Sequence, residues 1–146
     1  MKKGAPGLLV VTHGRLADEM EKAARHIVGE VSHLASISLD WDDDVADARR
    51  RIEDGIAKVA VDGRVLILTD MFGGTPSNVA LSLLEPGRVD VVTGVNLPML
   101  IKFANLHAVD GFDETVRRIA QQGRDAIQVA SEVLEKRVGP EDKAGR

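Results

Sequence analysis

The sequence predicts an α/β domain in which a parallel β-sheet carries helices on both faces. Two patterns lead to this fold class: short, continuously apolar runs that end at polar or glycine residues, and segments between them with apolar residues at helical spacing. Apolar runs without alternation are typical of strands buried on both faces. The 146 residues are enough for one domain. We expect this domain at residues 1–138 and a flexible tail at 139–146.

Each predicted strand is followed by a segment with helical periodicity. The strands are expected at Gly7–Thr12, His33–Leu39, Arg64–Thr69 and Arg88–Thr93. The first helix shows Leu16, Met20, Ala23 and Ile27 at helical spacing, and Gly29 is placed to end it. The second has the apolar stripe Val45, Ala48, Ile52, Ile56 and Val59. This repetition of strand and helix indicates right-handed crossovers in a parallel sheet.

The later helices have recognisable ends. Thr75 fits an N-cap, with Pro76 at the first helical position. A fourth helix is expected from Leu97 to about His107, and its residues Met99, Leu100 and Phe103 are expected in the core. A fifth helix fits Asp113–Gln122 and stops at Gly123.

The segment after the fifth helix has two interpretations. Ile127, Val129 and Ser131 alternate as in a strand, whereas Ile127, Ala130 and Leu134 are spaced as in a helix. Periodicity alone does not choose between these two structures.

Composition excludes several classes of protein. A net charge of −4 argues against nucleic acid as the main partner, because nucleic-acid-binding proteins usually show a basic face. With no cysteine, the chain has no disulfide and no cysteine-based metal site. No apolar run reaches the length of about 18 residues that a membrane span needs, so we expect a cytoplasmic protein without direct membrane insertion. The acidic group Asp40–Asp44 is interpreted as a solvated helix start, because histidines at ligand spacing are missing.

Polar residues follow three of the predicted strands at the point where each strand ends. They are Thr12-His13-Gly14, Asp70–Thr75 and Gly94–Asn96. In open parallel sheets the functional site lies outside these carboxyl ends. If the first and third strands are neighbours, the His13 and Asp70 side chains can meet. A carboxylate that holds one imidazole nitrogen leaves the other free to act as a nucleophile.

The loop after Asp70 offers donors for an anion such as a phosphoryl group. Gly73, Gly74 and Thr75 lead directly into a helix, whose N-terminal N–H groups attract negative charge. Each feature also has a plainer interpretation: a loop histidine, a capping aspartate, an ordinary turn. Trp41 is expected to pack beside the loop after the second strand. No P-loop pattern and no dinucleotide-binding glycine pattern occurs, so we expect no cofactor.

Three segments together resemble the IIA component of the mannose family of the bacterial sugar phosphotransferase system. They are Val11–Gly14, Thr69–Asn78 and Gly94–Leu100, within a resemblance that covers about residues 7–135. The resemblance implies a flavodoxin-like domain with strand order 2-1-3-4. It also implies a homodimer in which a C-terminal antiparallel strand, at about Ala126–Ser131, is swapped between subunits.

The same resemblance implies a phosphotransferase component with a phosphohistidine intermediate. The phosphorylated histidine corresponds to His13, the orienting aspartate to Asp70, and the phosphate-side loop to Gly73, Gly74 and Thr75. The implied donor is the phosphocarrier HPr and the implied acceptor is a IIB protein or domain.

Two departures and three alternatives accompany this interpretation. Some family members have tryptophan at the position of Phe72 and serine at that of Thr75. Phe72 keeps an apolar side chain at its position, and Thr75 keeps a hydroxyl group. We expect a stand-alone IIA domain, so a phosphorylation-dependent regulatory binding module without a permease is one alternative. A phosphotransfer subunit of a dihydroxyacetone kinase is another. A receiver domain is disfavoured, because the acidic pair it needs after the first strand is replaced by Thr12-His13-Gly14.

Overall fold

The computed structural model of the chain describes residues 5–106 and 111–144. Within these residues the strands are β1 (Gly7–His13), β2 (Leu34–Leu39), β3 (Val65–Thr69) and β4 (Val89–Thr93). The helices of the same residues are α1 (Leu16–Val28), α2 (Val45–Val59), α3 (Thr75–Leu81), α4 (Leu97–Ala104), α5 (Phe112–Asp125) and α6 (Ala130–Ala144). The predicted strands are thus found within one residue of their expected ends.

All strand pairs are parallel, and the sheet has the order β2-β1-β3-β4. This confirms the predicted fold class and the strand order that the family resemblance implies. β1 leads to β2 on one side, and the chain then crosses over to β3 on the other side. The carboxyl ends of β1 and β3 therefore meet at the topological switch point, where ligands bind in open α/β sheets.

Alternate residues of the strands pack into two cores, one on each face of the sheet. Leu8 and Val10 of β1 contribute to the core beneath α1, α4 and α5. Leu9 and Val11 contribute to the core beneath α2 and α3. Because both faces are covered, the central strands are apolar at successive positions rather than at every second one. Met99, Leu100 and Phe103 are buried as predicted.

The buried face of α1 differs from the predicted stripe. Leu16 and Ile27 are exposed, whereas Ala17 and Ala24 are completely buried. Two alanines let the helix axis approach the sheet closely, so that the larger side chains on either side of them remain outside. Leu16 is therefore left at the edge of the sheet where β1 ends.

Two glycines act differently from the sequence expectation. The N-cap of α3 is Gly74 rather than Thr75, and Pro76 occupies the second helical position. Gly123 does not end α5, which continues to Asp125. A side chain at Gly123 would collide with Met99, because an added Cβ would lie 2.7 Å from the Met99 Sδ. Gly123 therefore serves close helix packing. The expected end of α4 at His107 lies outside the described residues.

The C-terminal strand expected at Ala126–Ser131 is not formed in the single chain. Residues 127–129 have no regular secondary structure, and α6 begins at Ala130. Strand addition needs a free sheet edge, which for a swapped strand belongs to a second subunit. α6 continues to Ala144, so the backbone at 139–144 is helical, and flexibility of the tail stays a prediction. In the described parts of the chain, no helix combines the length and apolar character needed to cross a membrane.

Two buried threonines at strand ends allow a matched test of the fold. The Thr12 Oγ1 accepts a hydrogen bond from the Ala17 N–H at 2.7 Å and so caps α1. The Thr69 Oγ1 is buried without a hydrogen-bond partner among the described residues. We expect Thr12→Val to lower the free energy of unfolding by about 1–2 kcal/mol, because it leaves a buried N–H unpaired. Thr69→Val should leave the stability unchanged or raise it. Urea unfolding measures both variants, and equal losses would contradict the assigned cap.

Candidate active site

The switch point brings His13 and Asp70 together. β1 pairs with β3 as far as Val11 and Thr69, and each strand then delivers one ionisable side chain to the same edge. The His13 Nδ1 lies 2.8 Å from the Asp70 Oδ2. The side chains are 20% and 14% exposed, respectively. Because a carboxylate only accepts hydrogen bonds, the ring donates from Nδ1–H, which leaves the lone pair on Nε2.

Backbone hydrogen bonds hold the Asp70 carboxylate in place. Its Oδ2 also accepts from the His13 backbone N–H at 3.0 Å, and its Oδ1 accepts from the Met71 N–H at 3.0 Å. The carboxylate thus continues the hydrogen bonding of β1 beyond the last residue paired with β3. Both oxygens are engaged, so the carboxylate is oriented toward the imidazole.

The free edge of the imidazole faces Gly74 at the start of α3. A Cβ added to Gly74 would lie 3.0 Å from both Cε1 and Nε2 of His13, and the residue has a φ of +114°. Of the predicted phosphate-side loop, Gly73 donates its N–H to the Ser77 Oγ at 2.9 Å. The Gly73 N–H is thus engaged within the loop, Gly74 lies against the imidazole, and Thr75 is the first residue of α3.

Trp41 is a site residue that the sequence interpretation missed. Trp41 lies in the loop after β2, as expected, but its indole stacks on the His13 ring, with the ring centroids 4.9 Å apart and the planes at 20°. The indole is 79% exposed. The signal was available in the strand order: His13 is the register partner of Leu39, and Trp41 follows Leu39 closely at the same edge.

The segment Gly94–Asn96, which follows β4, is hydrogen-bonded to β3 and to α5 rather than to the imidazole. Val95 is buried and donates its N–H to the Thr69 carbonyl at 2.9 Å. The Asn96 Nδ2 donates to the Gly123 carbonyl at 2.9 Å. This segment, which we expected to close the crevice, therefore supports the end of β3 and fixes α5 against α4.

Exposed apolar side chains follow the ends of β1, β2 and β3. They are Leu16, Trp41, Met71 and Phe72, and we call this set the apolar rim. Clustered apolar side chains at a surface commonly mark a site of contact with another macromolecule. Phe72, the most protruding of those that follow β3, is 72% exposed. The imidazole thus lies at the sheet edge where these exposed apolar side chains follow the strands.

Comparisons with known proteins show the family to which the chain is similar. The family model EIIA-man, described as the PTS (phosphotransferase system) fructose IIA component, matches residues 7–120. The chain is 27% identical over 130 residues to a fructose-specific EIIA component of Bacillus subtilis, a match that covers 88% of this chain and 89% of the relative. It is 28% identical over 123 residues to the mannose-specific EIIAB component of Escherichia coli, which covers 83% of this chain but only 38% of that relative.

A solved structure shares both fold and sequence with the chain. It is the mannose/sorbose-specific IIA subunit from Enterococcus faecalis, which has a TM-score of 0.77 and 30% identity. The likeness covers 88% of this chain and 95% of that structure. Since the family match extends over most of the chain and contains both His13 and Asp70, the chain belongs to the EIIA-man family of phosphotransferase-system IIA components.

Proposed function

We propose that this chain accepts a phosphoryl group from phospho-HPr on the Nε2 of His13 and passes it to a IIB partner. The observation that carries the proposal is the 2.8 Å contact between the His13 Nδ1 and the Asp70 Oδ2, which keeps the proton on Nδ1 and leaves the lone pair on Nε2. The family assignment supports a phosphotransfer role in a sugar system. We expect this relay to act in the cytoplasm.

The chemistry follows from the charges around the ring. The Nε2 lone pair attacks phosphorus, the bond from phosphorus to the donor breaks, and its electron pair returns to the donor. The proton stays between Nδ1 and Asp70, whose negative charge stabilises the ring as it becomes positive. The amides at the start of α3 offer hydrogen bonds to the phosphoryl oxygens. Positioning and charge stabilisation dominate phosphoryl transfer, and in this proposal His13, Asp70 and the start of α3 provide them.

The surface around His13 supports proteins as donor and acceptor. The imidazole is partly exposed and the apolar rim surrounds the strand ends that carry it. A small-molecule substrate usually enters a concave pocket that buries most of its surface. An open histidine beside protruding apolar side chains instead fits successive docking of two proteins to one face.

A receiver-type reaction at Asp70 is disfavoured by the hydrogen bonding of its carboxylate. Oδ2 accepts from the backbone N–H and the Nδ1–H of His13, and Oδ1 accepts from the Met71 N–H. A carboxylate that is to be phosphorylated needs an oxygen free to attack. This arrangement suits an orienting group and supports His13 as the residue that carries the phosphoryl group.

We also propose that the chain forms a homodimer through its C-terminal segment. Ile127 and Val129 are 79% and 58% exposed, and they alternate as a strand would require. β4 is the edge strand beside β3, and no described strand pairs with its other side. The segment Ala126–Ser131 of a second copy could add to that edge and bury both side chains, provided that Ala130 and Ser131 leave the first turn of α6. Sedimentation equilibrium tests this, and a mass of one chain at micromolar concentration would contradict it.

Labelling from radioactive phospho-HPr tests the phosphotransfer. We expect the folded protein to acquire a label that is lost in acid and kept in base, because a phosphoramidate has this stability. His13→Ala should abolish the label, whereas His26→Ala, at an exposed position of α1, should keep it. Absence of label in the folded wild type, or label retained in His13→Ala, would refute the proposal. Onward transfer to a IIB protein supports sugar uptake; a label that only changes which proteins bind supports the regulatory alternative.

A further inference from the structure

We infer that Trp41 is a positioning residue, whose indole holds the plane of the His13 imidazole and stabilises the positive charge of the phosphorylated ring. This inference rests on the proposed phosphotransfer at His13. It is carried by the stack itself, with centroids 4.9 Å apart and planes at 20°.

The hydrogen bond to Asp70 does not orient the imidazole completely. A bond along the Nδ1 direction fixes that nitrogen but leaves the ring free to tilt about the bond axis. The indole lies against one ring face, and the Gly74 backbone lies close to the Nε2 edge. Together these contacts fix the direction in which the Nε2 lone pair points, as a near-attack geometry requires.

Trp41 contributes little to the hydrophobic cores. Its side chain is 79% exposed, so most of its apolar surface stays in water. The residue is absent from both core clusters of buried and packed side chains. The Trp41 indole stacks on the ring of His13, at the site of the proposed chemistry.

Phosphorylation changes the nature of this contact. Once Nε2 bonds to phosphorus while Nδ1 keeps its proton, the ring carries a formal positive charge. The face of an aromatic ring attracts cations, and tryptophan is the strongest partner. A cation–π contact at an exposed site corresponds to about a two- to fivefold change in an equilibrium constant. The stack should therefore favour the phosphorylated state of the chain over the free state.

The equilibrium constant for transfer between phospho-HPr and the chain tests the inference. We expect Trp41→Leu to shift this equilibrium about two- to fivefold toward phospho-HPr, and Trp41→Phe to restore part of the loss. Phe72→Leu is the matched control, because it removes another exposed aromatic ring of the apolar rim. A docking contact changes rates in both directions, but it leaves the equilibrium between the separate proteins unaltered.

Fluorescence provides a second readout, because Trp41 is the only tryptophan and the chain has no tyrosine. We expect the emission of Trp41 to change on phosphorylation of the wild type and to stay constant in His13→Ala. Phosphoramidate, a small chemical donor, provides phosphorylation that does not depend on HPr. The stack alone is visible by NMR as upfield shifts of the His13 ring protons, which Trp41→Leu should remove.

The outcomes separate this inference from the proposed function. An unchanged equilibrium in Trp41→Leu, or an equal shift in Phe72→Leu, overturns the role of Trp41 while the phosphotransfer stands. If phospho-HPr transfers no phosphoryl group, whereas the chemical donor phosphoramidate does label His13, the proposed function fails. The emission change of Trp41 then decides the role of Trp41. Ring-proton shifts that are the same in the wild type and Trp41→Leu overturn the inference without any phosphorylation.

Discussion

Replacing Asp70 with asparagine is expected to slow phosphoryl transfer to His13 by about a hundred- to ten-thousandfold. This range matches the loss of rate seen in other enzymes when the carboxylate that orients a catalytic histidine is neutralised, or when acid–base catalysis by a histidine is removed. Asp70→Ala should have an effect of similar size, because the tautomer of the imidazole is then no longer fixed. The expected change is in the rate of transfer, with the fold retained.

The reason lies in the three hydrogen bonds that the carboxylate accepts. Oδ2 accepts from the His13 backbone and ring, and Oδ1 accepts from Met71. An asparagine has one carbonyl oxygen, so its NH₂ group must face a donor on one side. If the NH₂ group faces His13, it donates to Nδ1 and favours the tautomer that carries the proton on Nε2, which cannot attack phosphorus. In either orientation the negative charge that stabilises the phosphorylated ring is lost.

Asp90→Asn is a matched control for this prediction. The Asp90 Oδ1 accepts from the N–H of Val91, its neighbour, as the Asp70 Oδ1 does from Met71, but Asp90 lies on β4. Transfer rates from phospho-HPr, measured by rapid quench, should be normal for Asp90→Asn and strongly reduced for both Asp70 variants. Undiminished transfer in both Asp70 variants would remove the orienting role from Asp70.

Gly74→Ala is expected to reduce phosphoryl transfer at least as strongly, by blocking the reacting nitrogen. An added methyl group would lie 3.0 Å from Nε2 and Cε1 of His13. In the proposed reaction it would crowd the nitrogen that must bond to phosphorus. Movement of the ring away from the methyl group would break its contact with Asp70. The φ of +114° also makes any side chain at this position strained, which should lower the free energy of unfolding by about 1–3 kcal/mol.

Gly73→Ala separates the steric effect from the backbone strain. Gly73 has a φ of +84°, and a Cβ added to it meets nothing within 4 Å. We expect this variant to be destabilised by about 1–2 kcal/mol, because a left-handed backbone disfavours side chains. Its transfer rate should stay close to that of the wild type when measured well below the unfolding temperature. Equal loss of transfer in both glycine variants would show that strain in the loop, and not contact with His13, limits the reaction.

Much of the fold is readable in the order of apolar and polar residues along the chain. The strands are predicted correctly because burial on both faces demands continuous apolar runs such as Val65–Thr69, and few other local structures require them. The positions of His13 and Asp70 directly after two such strands predict that they share one edge of the sheet. The reason is geometric, since all carboxyl ends of a parallel sheet lie on the same side.

Local sequence patterns predict less where the role of a residue depends on contact with a residue far away in the sequence. A glycine at position 123 predicted a helix end, but α5 continues to Asp125. The glycine instead meets the close packing of α5 on Met99 of α4, where an added Cβ would collide. The spacing of Leu16 and Ile27 predicted a buried stripe, but the close approach of α1 to the sheet buries Ala17 and Ala24 instead. The distance between α1 and the sheet decides which of two adjacent helix faces is buried. The periodicity of apolar residues carries no information about that distance.

The order of residues along the chain is enough to predict the fold class, the strand positions and the placement of His13 and Asp70 at one edge of the sheet, because burial and chain direction leave a local pattern. Which atoms meet is known from the folded chain alone: the Asp70 Oδ2 with the His13 Nδ1, Gly74 with the Nε2 edge, and Trp41 with the ring face. These contacts join three separate segments of the chain: the end of β1, the loop after β2 and the loop between β3 and α3. Their distances depend on how β1, β2, β3 and α3 pack together, and no local spacing in the sequence records that arrangement.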